Sequence, residues 1–379
     1  MKKRVFPILI ALMITMSVLA GCAAKPFFST VTTGEIAIFR DENFGSIQID
    51  ESLDSFRDLG FDYGDSLNLV FDNGTVMNDV PYYSGYYGSA GDLIACGYDG
   101  YEHVVIARVS RSNTWDEFGM TDDTHVTVTL NEKEKYKEFE DINSIHYSDD
   151  RNDYPSDEVF ANFRESKCTG LAPGVLYRSA SPCDNAHSRA PYANDLAEKA
   201  GIRFVFNLSD SAEEYQEHKN EEGFSSDYYY DKLVQEGNVL FMDLTADYES
   251  DDYMQTLAES LLTMTDHDGP VLVHCVEGKD RTGFVCALME ALAGGSYDEI
   301  IEDYMITYDN YYGVTEETDP EKYNIIKEKA NEFFYTMCQM PKGTPPEKMN
   351  PQEGAQSYLR RGGLSDEEIG RITGYLRGE

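Results

Sequence analysis

The sequence predicts a small mostly-β barrel or sandwich followed by an α/β domain whose central sheet is flanked by helices. Three patterns carry that expectation. Short alternating apolar runs separated by turn signals fill residues 30–130. After residue 158, strand-like runs alternate with helical ones. One apolar run, 270–274, passes through a tight polar turn directly into a helical stretch, 282–293.

The first element reads as an address. Lys2, Lys3 and Arg4 precede an apolar stretch over 5–20, broken only by Thr15 and Ser17, which ends in Leu19, Ala20, Gly21 and Cys22. Positive residues, an apolar run and small residues before a cysteine form the pattern of a lipoprotein signal over 1–22. Cleavage would leave Cys22 lipid-modified, and acyl chains at about 0.8 kcal/mol per buried CH2 suffice for anchoring. The run is shorter than the roughly 20 apolar residues of a membrane helix. An exported, membrane-anchored lipoprotein is therefore expected.

Within 30–130, strand-like runs fall at 35–39, 45–49, 67–71, 103–109 and 125–130, with Asp72-Asn73-Gly74 as a hairpin turn between two of them. Strands this short suit a barrel or sandwich. Tyr82, Tyr83, Tyr86 and Tyr87 cluster here. The chain has 27 tyrosines, so strand packing is the simpler account; a binding face for a ring or a glycan is the alternative. The polar stretch 131–157 reads as a helix and a linker. Within 158–379, strands are expected at 202–208, 238–243 and 270–275, and helices at 190–200, 252–265, 282–294, 296–306, 320–338 and 365–377. Ser365 and Glu368 form a capping box for the last helix. Ligands of such sheets sit beyond strand carboxyl ends, which is where the turn at 275–281 falls.

That turn carries the chemistry. It reads His274-Cys275-Val276-Glu277-Gly278-Lys279-Asp280-Arg281-Thr282-Gly283. Strand, tight loop and helix N-terminus aim several backbone N–H groups at one point, where a phosphate fits from Val276 through Thr282. An ordinary cysteine is mostly protonated at neutral pH, but at a helix N-terminus beside cations its pKa falls to roughly 3.5–7.5. Cys275 is then a thiolate nucleophile. Arg281 offers a planar fork to two phosphoryl oxygens. Gly278 admits close backbone approach, and the Thr282 hydroxyl suits a departing thiolate. The Gly-x4-Gly-Lys-Ser/Thr spacing of nucleotide-binding loops is absent. The bland alternative is a buried strand cysteine beside a solvated Lys-Asp-Arg turn.

The decapeptide resembles the signature of the cysteine-dependent phosphatases, and Gly-Lys-Asp-Arg-Thr-Gly looks like the bacterial tyrosine/serine protein phosphatases, some of which also act on phosphoinositides. Asn162-Phe163-Arg164 with 173–179 is similar to that family's opening segment. The stretch 199–208 is similar to its first helix-to-strand step, and 300–304 and 363–369 to its trailing helices, so the resemblance covers roughly 155–379. The family usually carries an arginine after Asn207-Leu208; here Ser209 stands there, which removes one substrate-side salt bridge. The barrel part resembles the barrel that ends the S-adenosylmethionine hydroxide adenosyltransferases, through Phe44-Gly45, Gly64-Asp65, Asn73-Gly74 and Pro81-Tyr82-Tyr83 with Tyr87-Gly88. That likeness implies a fold and carries no activity.

A leaving group also needs a proton, usually from a carboxylic acid. The stretch 241–252 offers Asp243, Asp247, Glu249, Asp251 and Asp252. Asp247 follows the strand and is the first choice, with Asp243 expected inside the strand. The resemblance makes Asp280 a credible acid instead.

Sixty-nine acidic against 31 basic residues give a net charge of −38, which repels nucleic acid and excludes a general phosphate-backbone binder. Of seven cysteines, Cys22 is assigned to lipid and Cys275 to chemistry. A Cys168–Cys183 disulfide is compatible with export, though nothing in the spacing selects it, and Cys286 reads as a core thiol. No metal or cofactor is expected. The expected activity is phosphomonoester hydrolysis through a phosphocysteine, on protein phosphotyrosine and, as in dual-specificity enzymes, phosphoserine or phosphothreonine. Lys279 would suit an extra phosphate, so inositol phosphates or phosphoinositides are the alternative substrates. A non-catalytic surface module binding anions or phosphoproteins is the third reading.

Overall fold

The computed structural model describes residues 31–98, 100–221, 224–225 and 228–379; the signal-like segment with Cys22 lies outside them. Seven strands come first: β1 Ile36–Arg40, β2 Ile47–Ser52, β3 Ser66–Phe71, β4 Val76–Tyr83, β5 Leu93–Cys96, β6 His103–Arg108 and β7 His125–Glu132. They close into a barrel in the order β1-β2-β6-β5-β4-β3-β7. Barrel, not sandwich, is thus the outcome, and closure leaves no free edge. Alternate residues point inward, among them Ile47 and Ile49, Leu67 and Leu69, and Val126 and Val128, and they pack on Phe56, Phe61 and Trp115.

Strands β4 and β5 escape the alternation rule for different reasons. Asn78, Asp79 and Pro81 interrupt β4, whose pairing with β3 shifts register between Leu67 and Leu69, and Asp79 sits at φ 59°. Strand β5 is apolar on both faces: Ala95 faces the barrel core, while Ile94 and Cys96 face an outer cluster containing Tyr136 and Phe139.

The helix expected in 131–157 is Lys137–Asn143, and it serves as a strut. On one side Phe139 packs on Tyr83 with ring centroids 5.4 Å apart, and the buried Glu140 carboxylate accepts from Ser84 N at 3.1 Å and Ser84 Oγ at 2.5 Å. On the other side Ile142 joins the core of the α/β part. Gly64 makes this approach feasible: it has φ +90°, and a Cβ there would lie 2.6 Å from Lys137 Cα.

The α/β part holds a five-stranded sheet in the order β11-β10-β12-β9-β8. Its members are β8 Arg164–Glu165, β9 Leu176–Ser179, β10 Phe204–Asn207, β11 Val239–Phe241 and β12 Val271–His274. The pairs β11–β10, β10–β12 and β12–β9 are parallel and β8 is an antiparallel edge. Every residue of β10 and β12 is buried, as strands covered on both faces require. Helices Ala190–Ala200 and Tyr229–Gln235 cover one face. The other receives Asp251–Met264 and Asp280–Ala293, wrapped in turn by Tyr297–Tyr312, Pro320–Cys338, Pro351–Arg361 and Asp366–Arg377. In Asp280–Ala293 every residue from 282 on is buried, so this helix is apolar all round.

The expected strand 238–243 stops at Phe241, which leaves Asp243 in the following loop at φ 43°. Helix Pro351–Arg361 was not among the expected helices, and it holds Pro351 and Gly354. Pro351 takes the first helical position behind the Asn350 cap.

Candidate active site

Strand β12 ends at His274 and hands the chain to Cys275, which is 4% exposed. The loop enters helix Asp280–Ala293 at Lys279, whose side chain makes no capping hydrogen bond. The first N–H groups of that helix therefore keep their capacity for an anion. Gly278 has φ +68°, and a Cβ there would fall 2.2 Å from Ser179 O; the loop lies directly on the end of β9.

The loop carbonyls are all engaged. Ser181 N donates to Val276 O at 3.0 Å, and Tyr311 Oη to Glu277 O at 2.6 Å. Asn162 Nδ2 donates to Gly278 O at 3.1 Å, and Arg178 Nη2 donates to Gly278 O at 3.0 Å and Lys279 O at 3.4 Å. With its carbonyls held from outside, the loop presents its amide hydrogens inward. Beneath it, Asp303 takes Arg164 Nε at 3.0 Å and Arg178 Nη1 at 2.7 Å. Burial raises the Asp303 pKa, but the two guanidinium groups outweigh it and hold the carboxyl below its ordinary value. Asn162, Arg164, Arg178 and Asp303 were legible only as members of family-like segments; Tyr311 gave no signal.

His274 is a second brace. Asn207 Nδ2 donates to Tyr230 Oη at 2.9 Å and to Asp210 Oδ2 at 2.8 Å. Tyr230 then donates to His274 Nε2 at 3.3 Å, and Nδ1–H faces Cys275 O at 3.4 Å. That chain of donors assigns the proton to Nδ1. Burial lowers the His274 pKa to about 4 against the pull of Asp210, so the ring is neutral. Ser209, in place of the family's arginine, turns onto Asn207 Oδ1 at 3.2 Å.

The charged residues divide by position. Arg281 Nη1 donates to Leu244 O at 3.1 Å, tying the helix start to the loop after β11. Lys279 pairs with Glu277 at 2.9 Å and approaches Asp280 at 3.9 Å. Burial opposes the Lys279 charge, but Asp280 and Glu277 outweigh it and raise its pKa. Glu277 also accepts from Tyr147 Oη at 2.6 Å. Asp280 receives Tyr304 Oη at 3.4 Å. Burial raises its pKa, yet Lys279 and Lys329 bring it below the ordinary value, so without substrate it is a carboxylate. Asp247 lies part-buried in the loop after β11, whereas Asp251 and Asp252 form the first turn of a helix capped by Ser250. Thr282 Oγ1 is buried without a hydrogen-bond partner.

A cavity of about 930 Å3 opens over these groups. Glu277, Lys279, Asp280 and Asp247 line it, with Lys329 and the barrel's Tyr86 and Tyr87; Cys275 and Arg281 do not. Tyr82 and Tyr83, by contrast, are buried strand residues. All six cysteines among the described residues are thiols, Cys168 and Cys183 included, and burial raises Cys286 to about 12. Among the described residues, Asp184, His218 and Glu221 could hold a metal, with ligand atoms within 4.8 Å of one another. Burial works against a charged His218, but Asp184 and Asp210 outweigh it and raise its pKa, which suits an imidazolium among carboxylates.

A strand–loop–helix cup at the carboxyl edge of a parallel sheet places the chain among anion-binding α/β folds. The model described as "Tyrosine phosphatase family" matches residues 160–378, and the chain belongs to that family. It is similar to the triple specificity protein phosphatase PtpB of Mycobacterium tuberculosis, 27% identical over 157 residues, which are 36% of this chain and 57% of that protein. A tyrosine-protein phosphatase of Nostoc commune is 42% identical over 52 residues, 14% of this chain and 18% of that one. The chain thus spans less than two thirds of the length of either relative. Among solved structures, the core catalytic domain of the PP-IP phosphatase SIW14 of S. cerevisiae aligns with a TM-score of 0.24 at 18% identity, covering 45% of this chain and 91% of that one.

Proposed function

We propose that the chain hydrolyses phosphomonoesters through a phosphocysteine at Cys275, with protein phosphotyrosine as first substrate and phosphoserine or phosphothreonine as others. The observation that carries this reading is the loop with its carbonyls held outward around Cys275 at an uncapped helix start. The Cys275 sulfur attacks phosphorus, an S–P bond forms, and the bond to the leaving oxygen breaks. The leaving oxygen takes a proton from Asp247. Water then attacks the phosphocysteine, the P–S bond breaks, inorganic phosphate leaves, and Asp247 takes the water's proton. Arg281 binds two equatorial oxygens and tightens as the transition state forms. Asp280 serves as the acid only if the bound phosphate dianion first raises its pKa.

Lys279, raised and firmly cationic, favours a second reading in which inositol phosphates or phosphoinositides undergo the same steps. The pattern ending in Cys22 supports export and lipid anchoring, which metabolic labelling with a fatty acid and a Cys22→Ala variant would test. For the chemistry, a panel of phosphopeptides and inositol phosphates is assayed with wild type, Cys275→Ser and Asp247→Asn. Cys275→Ser should lose roughly 10^4-fold or more and Asp247→Asn about 10^2–10^4-fold. Equal turnover by wild type and Cys275→Ser would remove the enzyme reading.

A further inference from the structure

We propose that Lys329, on helix Pro320–Cys338, forms a second anion subsite in the cavity, taking a phosphoryl group of the substrate other than the one transferred. This rests on the phosphatase reading above and assigns that site a preference for substrates with two phosphoryl groups.

The motif does not contain Lys329, which lies 46 positions beyond its last residue, Gly283. Helix Pro320–Cys338 brings it into the wall of the cavity that Lys279 and Asp280 also line. Acids outnumber bases by 69 to 31 in this chain, and its lysines are commonly paired: Lys133 with Asp62, Lys135 with Asp79, Lys219 with Asp231, and Lys342 with Glu332. Among the described residues, Lys329 has no ion pair. Its Nζ donates to a neutral amide, Asn143 Oδ1, at 2.6 Å and stands 5.8 Å from the Phe139 ring centroid. A desolvated ammonium without a counter-charge is costly unless a ligand supplies one. Burial pulls its pKa below the ordinary lysine value while Asp280 pulls the other way, the direction an unmatched cation shows.

The partner arrangement keeps the ammonium in place. Asn143 Nδ2 donates to Phe139 O at 2.7 Å, which fixes the amide with its oxygen toward Lys329. Asn143 and Phe139 both belong to the strut helix held on the barrel through Glu140 and Ser84. The barrel thereby positions a substrate-binding cation, and it closes the same cavity with Tyr86 and Tyr87. A volume of about 930 Å3 leaves room for a ring carrying a second phosphate next to Glu277, Lys279 and Asp280, the reactive-loop residues that line the cavity. A lysine ammonium binds phosphate as a point charge, with no demand for the planar geometry an arginine fork requires.

The test separates binding from turnover. In a Cys275→Ser background, affinities are measured for an inositol monophosphate and an inositol bisphosphate, each as the free ring and on a short-chain diacylglycerol. The second phosphate should tighten binding at least about tenfold on one carrier or both, and the carrier that shows the gain identifies a free ring or a lipid headgroup as source. Adding Lys329→Met should cut that gain to under about threefold, while Lys329→Arg should retain most of it. Lys329→Met leaves Asn143 Oδ1 without its donor and Asp280 without a nearby cation, and Lys329→Arg, which keeps a donor and a charge there, is the control for folding. No gain from the second phosphate, or a gain that survives Lys329→Met, overturns the subsite. Neither result touches the phosphatase reading, which stands or falls on Cys275-dependent turnover by the otherwise unaltered chain.

Discussion

His274 shows how a residue adjoining the reactive thiol is governed by its neighbours. Enclosed by Tyr230 and the backbone of Cys275, it is held neutral with a pKa of about 4. The folded-state pKa lies below the unfolded value near 6.5, so the unfolded chain takes up its proton first as pH falls. The stability contributed by the neutral ring is complete above pH 6.5 and is lost progressively between about 6.5 and 4. The loss is on the order of 3 kcal/mol. Urea unfolding of wild type and His274→Asn across that window should show the wild-type midpoint falling more steeply; parallel curves would mean the ring is not held neutral. The decapeptide suggested His274 as a brace, but Tyr230 and Asn207 lie 44 and 67 positions upstream, and no local pattern connects them.

At the scale of elements, the loop is shaped by what lies outside it. Gly278 is the clearest case, because a side chain there would enter the carbonyl of Ser179. Gly278→Ala should destabilise the fold by about 1–3 kcal/mol through strain at positive φ. It should also lower kcat, because the loop can relieve the clash only by moving off β9. Thermal unfolding and a phosphatase assay check both, and unchanged values would show that the contact is not tight.

The strand, turn and helix of this element were legible because their residues are contiguous and their periodicity changes abruptly at Cys275. The joint role of the supports was not, since Asn162, Arg178 and the helix that carries both Asp303 and Tyr311 are three separate segments that meet only when the sheet has formed. Helices Ala212–His218 and Tyr229–Gln235 were missed because one turn or two of helix carries too little periodicity. In the barrel, the register shift in β4 and the two-sided burial of β5 conceal the period of two on which strand recognition depends.

Across the whole molecule, an exterior with net charge −38 surrounds a cavity into which Lys279 and Lys329 project. Attraction for phosphate is therefore local, made by loop amides, Arg281 and these lysines, and it is not spread over the surface. The strut helix Lys137–Asn143 joins the barrel to this cavity, through Glu140 on one side and Asn143 on the other. Composition gave the acidity and the alternation of elements gave two parts, but their apposition depends on Gly64 meeting Lys137, a contact between segments that no motif encodes.

The most direct measurement is intact-protein mass spectrometry of the enzyme mixed with a fast aryl phosphate and quenched in acid within milliseconds. A single added phosphoryl group should map to Cys275 in wild type, accumulate in Asp247→Asn supplied with a good leaving group, and be absent in Cys275→Ser. Turnover with no such adduct in any variant, or an adduct on another residue, would contradict attack by this thiolate.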